Sequence, residues 1–150
     1  MDSSSVGWDA RGMRKSIAVL TTIASLFVVV AGSMAASKTI SVKIDGKQES
    51  PAGSPTGKGS AKITLNDTKG QVCFKLSWSG IGTPSAAHIH KAAKGKAGPV
   101  VIPLFSGTPK KSGCVSAKKS LVAAIAKKPG SYYVNVHTAK FPNGAVRGQL

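Results

Sequence analysis

Three histidines are the residues of this sequence best suited to coordination chemistry. His88 and His90 form a His-x-His pair, and His137 is the remaining histidine. On a strand, side chains two residues apart project from the same face, so the pair can present two imidazoles to one ligand. Three imidazoles suit zinc or copper, and an open fourth position would also match catalytic zinc. The pattern predicts a mononuclear copper or zinc site; the alternative is that these histidines hydrogen-bond loop carbonyls or lie in the core.

The sequence lacks the residues that other common catalytic sites need. After residue 36 the acids are Asp45, Glu49 and Asp67, all in turn-like contexts of the first third, which does not suit paired-carboxylate chemistry. The sequence contains no Gly-x-Ser-x-Gly elbow, and the segment 57–60 lacks the spacing of a phosphate-binding loop. Aromatic residues make up 5%, too few for base-stacking platforms. We therefore expect a binding protein rather than an enzyme.

The charge of the chain is strongly positive. The formal net charge is +16, and the part after residue 36 carries eighteen Lys and Arg against three acids. This balance favours anionic surroundings, such as cell-surface polymers, with nucleic acid bound only non-specifically; the alternative is that the lysines keep the protein soluble. The candidate binding residues are Lys91, Lys94 and Lys96 in a basic loop, together with Arg147. Arg147 could instead pair with a carboxylate, including that of the chain terminus.

The N-terminal residues have the order of a secretory signal peptide. Arg11, Arg14 and Lys15 precede an uncharged apolar run over 17–30, and small residues follow. The run is shorter than the roughly 20 residues that a membrane span needs, so we expect no stable span. Cleavage is predicted after Ala35 or Ala36, which leaves 37–150 as one secreted domain at or outside the cell surface.

Two cysteines, Cys73 and Cys114, lie in the exported part. An even number in an oxidising compartment predicts one disulfide, and the alternative is two buried free thiols. The closed loop of about forty residues would stabilise the domain by roughly 4 kcal/mol in the chain-entropy treatment.

Alternation of apolar and polar residues predicts most of the secondary structure. It indicates strands near 40–44, 61–65, 72–78, 86–90, 100–105, 132–137 and 145–150. Pro103 indicates an edge strand or a bulge. The segments 50–59, 91–98 and 107–113 are expected to be loops, and 116–128 is the single helical stretch. These elements predict an all-β fold, a Greek-key-like β-sandwich or small barrel with one short helix.

Several short motifs occur in one order along the exported part. They are Val72-Cys73-Phe74, Ala87-His88-Ile89-His90, Gly98-Pro99-Val100-Val101, Gly113-Cys114-Val115, Tyr132 to Thr138, and Phe141 to Leu150. In this order the chain resembles the CHRD (chordin) domain family, in particular its single-domain bacterial members. One departure is local: Lys91-Ala92-Ala93 stands where the family usually has a glycine soon after His-x-His.

The resemblance implies an exported domain whose ligand is not known. CHRD domains of chordin-like proteins belong to extracellular antagonists of growth-factor signalling, which favours an extracellular protein as partner, and the bacterial members have no agreed activity. Their His-x-His strand is similar to one that supplies copper ligands in copper–zinc superoxide dismutases. This sequence lacks the histidines for such a two-metal site, so dismutase activity is not expected. A structural component of the cell envelope is a further alternative.

Overall fold

A computed structural model describes residues 37–150 of the protein. This part forms one sheet of eight antiparallel strands with one short helix, α1 (Lys119–Lys127). The strands are β1 (Lys38–Asp45), β2 (Lys58–Asn66), β3 (Gln71–Ser79), β4 (Pro84–Lys91), β5 (Val100–Ser106), β6 (Ser112–Ser116), β7 (Tyr132–Thr138) and β8 (Val146–Gln149). The predicted signal peptide, residues 1–36, lies outside the described residues, and its cleavage stays a prediction.

The strand order is β5-β4-β7-β8-β1-β2-β3-β6. The sheet curls into a nearly closed barrel, in which the edge strands β5 and β6 approach each other. The expected all-β class with one short helix is confirmed, and the architecture is that of a small barrel. Pro103 lies in edge strand β5 opposite His88, beside a register shift, as its missing N–H requires.

Two groups of strands make up the sheet. The first half contains β1, β2, β3 and β6, and the second half contains β5, β4, β7 and β8. The halves meet between β1 and β8, where one residue pair, Asp45 opposite Arg147, forms the ladder. We call this line of contact the seam.

The core fills the barrel interior, as the alternating pattern predicts. Ile63 and Phe74 point inward from the first half, and Ile89 and Val134 point inward from the second. The helix adds Val122 and Ile125, both fully buried, and packs against β2 and β3. Burying each such side chain contributes about 1.5–3 kcal/mol relative to exposure, so these apolar contacts hold the strands in register.

Two local predictions were wrong. The helix spans Lys119–Lys127 rather than 116–128. Strand β6 takes in residues 112 and 113, which were assigned to a loop, and residue 116, which was assigned to the helix. The strand is short and carries three exposed positions, so alternation alone is a weak signal. Its pairing with β3 positions it, and that partner lies some forty residues away.

Candidate functional site

The outer face of the second half carries a layer of polar side chains. Strand register places His88 opposite Asn135 and His90 opposite Tyr133, while Asn135 lies opposite Arg147. Side chains at alternate positions share a face, so these residues lie on the side of β4, β7 and β8 that faces away from the core. Loops cover this face, and Asn135 is 1% exposed. We call this layer the polar face.

The three predicted histidines lie together on the polar face. Nδ1 of His88 is 3.1 Å from Nε2 of His137, and one ring nitrogen from each of the three histidines lies within 4.8 Å of the others. His90 is buried, while His88 and His137 are partly buried. Sequence reasoning placed His88 and His90 on one face through their spacing; the pairing of β4 with β7 brings His137 to them.

Backbone carbonyls set the tautomers of two of these histidines. Nδ1 of His90 lies 2.8 Å from the Gly98 carbonyl oxygen, and Nδ1 of His137 lies 2.9 Å from that of Pro142. A carbonyl only accepts, so each Nδ1 carries the proton and donates it. Nε2 of each neutral ring is therefore an acceptor. The side-chain amide of Asn135 lies 2.9 Å from Nε2 of His137 and donates to it when its NH2 group takes the place of Oδ1, whereas Nε2 of His90 is buried without a hydrogen-bond partner.

The surroundings of His88 and His137 favour the uncharged imidazole at neutral pH. Burial, together with the neighbouring His137 and His90, lowers the pKa of His88 to about 4. Burial also lowers the pKa of His137; the Pro142 carbonyl opposes this shift. Neutral imidazole is the form that binds metal ions, so protons compete little for these nitrogens near pH 7.

A stack of planar groups supports His90 from the side. The ring of Tyr133 lies parallel to that of His90, with centroids 4.7 Å apart and an interplanar angle of 9°. The guanidinium carbon of Arg147 lies 3.4 Å from the centroid of the Tyr133 ring. Tyr133 is itself 3% exposed, so the stack leaves the His90 ring little room to rotate.

Arg147, one of the candidate binding residues, is buried rather than exposed. Its side chain is 1% exposed and donates to the carbonyl oxygens of Lys96 and Ala93, at 2.7 and 3.0 Å, and to Oε1 of Gln149 at 3.0 Å. These bonds tie the 92–98 loop down over the polar face. An Arg fork provides several donors in one plane, which suits this role. The pairing partners are mainly carbonyls rather than the expected carboxylate.

Glu49 is an acidic residue of the polar face that sequence reasoning missed. It is 7% exposed, and burial raises its pKa to about 7, although the Arg147 charge and the Asn135 amide oppose the shift. Gly144 makes room for it: this residue has φ +136°, and a Cβ there would lie 2.1 Å from Oε1 of Glu49. The available sequence signal was that Glu49 is one of three acids after residue 36.

The remaining predicted residues are not members of the histidine cluster. Lys91, Lys94 and Lys96 are exposed on and after the end of β4, and their role as binding residues stays a prediction. Cys73 and Cys114 form the predicted disulfide between directly opposite positions of β3 and β6. The disulfide is compatible with an extracellular location.

The fold and the site define an antiparallel β-barrel domain with a loop-covered polar face. The chain matches the family model of the CHRD domain over residues 40–150, and it belongs to that family. CHRD domains are binding modules, which supports a binding role here. No curated protein and no solved structure matches the chain. Within residues 37–150, no helix has the length and apolar character that crossing a membrane requires.

Proposed function

We propose that this chain is an exported binding module that holds one zinc or copper ion between His88, His90 and His137. The observation that carries the proposal is the 3.1 Å separation of Nδ1 of His88 and Nε2 of His137. Two nitrogens bound at 2.0–2.1 Å to one tetrahedral ion lie about 3.3 Å apart, so these two nitrogens need little movement to bind the same ion. Nε2 of His90 is the third ligand atom, because Nδ1 of that ring is already engaged.

The surrounding contacts suit a metal centre. Ligating histidines usually donate their other N–H to a carbonyl or carboxylate, and here the Gly98 and Pro142 carbonyls accept from His90 and His137. Imidazole nitrogens are borderline ligands, which favours zinc or copper over magnesium or calcium. Three protein ligands leave a coordination position for water or for a group of a bound partner, so the ion would serve binding at or outside the cell surface.

Export is the second part of the proposal. The basic residues Arg11, Arg14 and Lys15, the apolar run over 17–30 and the small residues at 31–36 support a cleaved signal peptide. The disulfide supports an oxidising destination. A structural component of the envelope would share these features, and metal binding separates the two proposals.

Metal titration of protein prepared without a histidine tag tests the proposal. We expect one zinc ion per chain by calorimetry, and we expect the triple variant His88→Ala/His90→Ala/His137→Ala to bind none. Lys94→Ala is the matched control on the adjacent loop and should bind as the wild type does. Equal binding by the wild type and the triple variant, or no binding by either, would refute the metal site.

A second measurement is independent of whether the triple variant folds. On addition of zinc to the wild type, nitrogen NMR should show metal shifts at Nε2 of His90 and His137 and at Nδ1 of His88. Unchanged imidazole resonances at stoichiometric zinc would contradict the assignment of the ligand atoms.

A further inference from the structure

The outer face of the first half differs from the polar face because it is exposed and carries lysines. Strand register aligns Ser41, Lys62, Lys75 and Ser112 in one row across β1, β2, β3 and β6. All four of these residues are exposed. We call the part of the sheet centred on this row the lysine face.

Paired hydroxyls flank the row on both sides. The hydroxyl oxygens of Ser60 and Ser77 lie 2.8 Å apart, and those of Thr39 and Thr64 lie 3.0 Å apart. Each hydroxyl retains capacity to accept or donate beyond this bond. Lys62 and Lys75 thus lie between two pairs of hydroxyl residues on the sheet, which suits a ligand that carries both negative charges and hydroxyl groups.

Lys62 and Lys75 occupy directly opposite positions on adjacent strands. Cβ atoms of such pairs are about 5 Å apart, and like charges in this arrangement destabilise a sheet. The acids of the described residues lie elsewhere: Asp45 is opposite Lys58 at the end of β1, Glu49 is buried, and Asp67 lies in the β2–β3 turn. The row therefore keeps two adjacent cations that a bound anion would neutralise.

A shallow groove follows the same row. It encloses about 410 Å³ and runs beside Lys62, Thr64 and Lys75 to the Cys73–Cys114 disulfide. A groove between fixed strands offers an extended ligand more contact than separate surface lysines do.

We propose that the lysine face binds an extended acidic polysaccharide, with its carboxylates on Lys62 and Lys75 and its sugar hydroxyls on the flanking Ser and Thr pairs. A nucleic acid strand would gain from aromatic stacking, whereas this face presents lysine, hydroxyl and disulfide groups. A bilayer would need an apolar anchor; the exposed large apolar residue of the described part, Val100, lies on β5 in the other half. The proposal does not depend on the metal site.

Binding to immobilised polygalacturonate in 0.15 M salt tests this proposal with two charge-matched variants. Lys62→Ser/Lys75→Ser and Lys127→Ser/Lys128→Ser each remove two positive charges from exposed positions, the second pair at the end of α1. We expect the first variant to lose at least tenfold in affinity and the second to lose less than threefold. Equal losses would show that net charge alone governs binding, which would overturn the proposal.

Two further arms identify the ligand and check the fold. Duplex DNA and phosphatidylglycerol vesicles replace the polysaccharide, and a tenfold loss on either with the first variant only would overturn the assignment to polysaccharide. Because Lys62→Ser/Lys75→Ser removes a like-charge pair, its melting temperature should equal or exceed that of the wild type. A lower value would contradict the argument that the pair is held under repulsion.

Discussion

Replacing Arg147 by lysine should destabilise the domain strongly. The guanidinium donates three hydrogen bonds in the protein interior, to Lys96, Ala93 and Gln149. Lysine can reach one of these acceptors, so two bonds from a charged donor are lost. Each is worth about 1.5–3 kcal/mol, and the ammonium also stacks less well on Tyr133. We expect the free energy of unfolding to fall by about 3–5 kcal/mol, the range found when a buried charged contact is broken.

Urea unfolding followed by far-UV circular dichroism measures this change. A domain of this size has a total stability of about 6–17 kcal/mol, so the predicted loss is a large fraction and shifts the midpoint clearly. Lys94→Met removes an exposed cation from the same loop and should change the stability by less than about 0.5 kcal/mol. If Arg147→Lys costs less than about 1 kcal/mol, the guanidinium does not hold the loop as argued.

Three further predictions concern neighbouring features. Because the folded protein raises the pKa of Glu49 from 4.5 to about 7, folding takes up a proton, and wild-type stability should fall as pH rises between these values. Glu49→Gln should remove this decline, which amounts to at most about 3 kcal/mol; an unchanged pH profile of stability would contradict the shift. Gly144→Ala should cost at least about 2 kcal/mol in thermal unfolding, because its Cβ meets Glu49, whereas Gly82→Ala, also at positive φ but in open space, should cost less. Cys73→Ala/Cys114→Ala should lose about 4 kcal/mol, and a reductant should destabilise the wild type alone.

Patterns within single segments of the sequence were enough to predict most strands and the pairing of His88 with His90 on one face. Alternation over residues 72–78 correctly predicts which side chains point into the core, although Trp78 is only partly buried. It does so because every second residue of this strand faces the core. The His-x-His spacing likewise places two imidazoles on one face. These features depend on neighbouring residues, so one segment of sequence contains all the information that they need.

The features missed depend on partners distant in the chain. Arg147 and Glu49 are buried because loops near 46–57 and 92–98 fold over the polar face. Neither loop has an apolar pattern from which its packing over the polar face could be predicted. Strand β6 forms because its backbone pairs with that of β3, which is distant in sequence. Charge suggested that Arg147 faces solvent, whereas hydrogen bonds to carbonyls satisfy the group inside the protein.

The seam between β1 and β8 has a consequence for the order in which the nascent chain can fold. Strands β1, β2 and β3 are consecutive and can pair as soon as they leave the ribosome. Strand β4 can pair early with β5, but its second partner is β7, and the seam closes only when β8, the last described strand, has been synthesised. Pairing between distant segments is slow, so the half with the lysines should assemble before the half with the histidines. A chain interrupted before β7 would carry the lysine face without the His88–His90–His137 cluster.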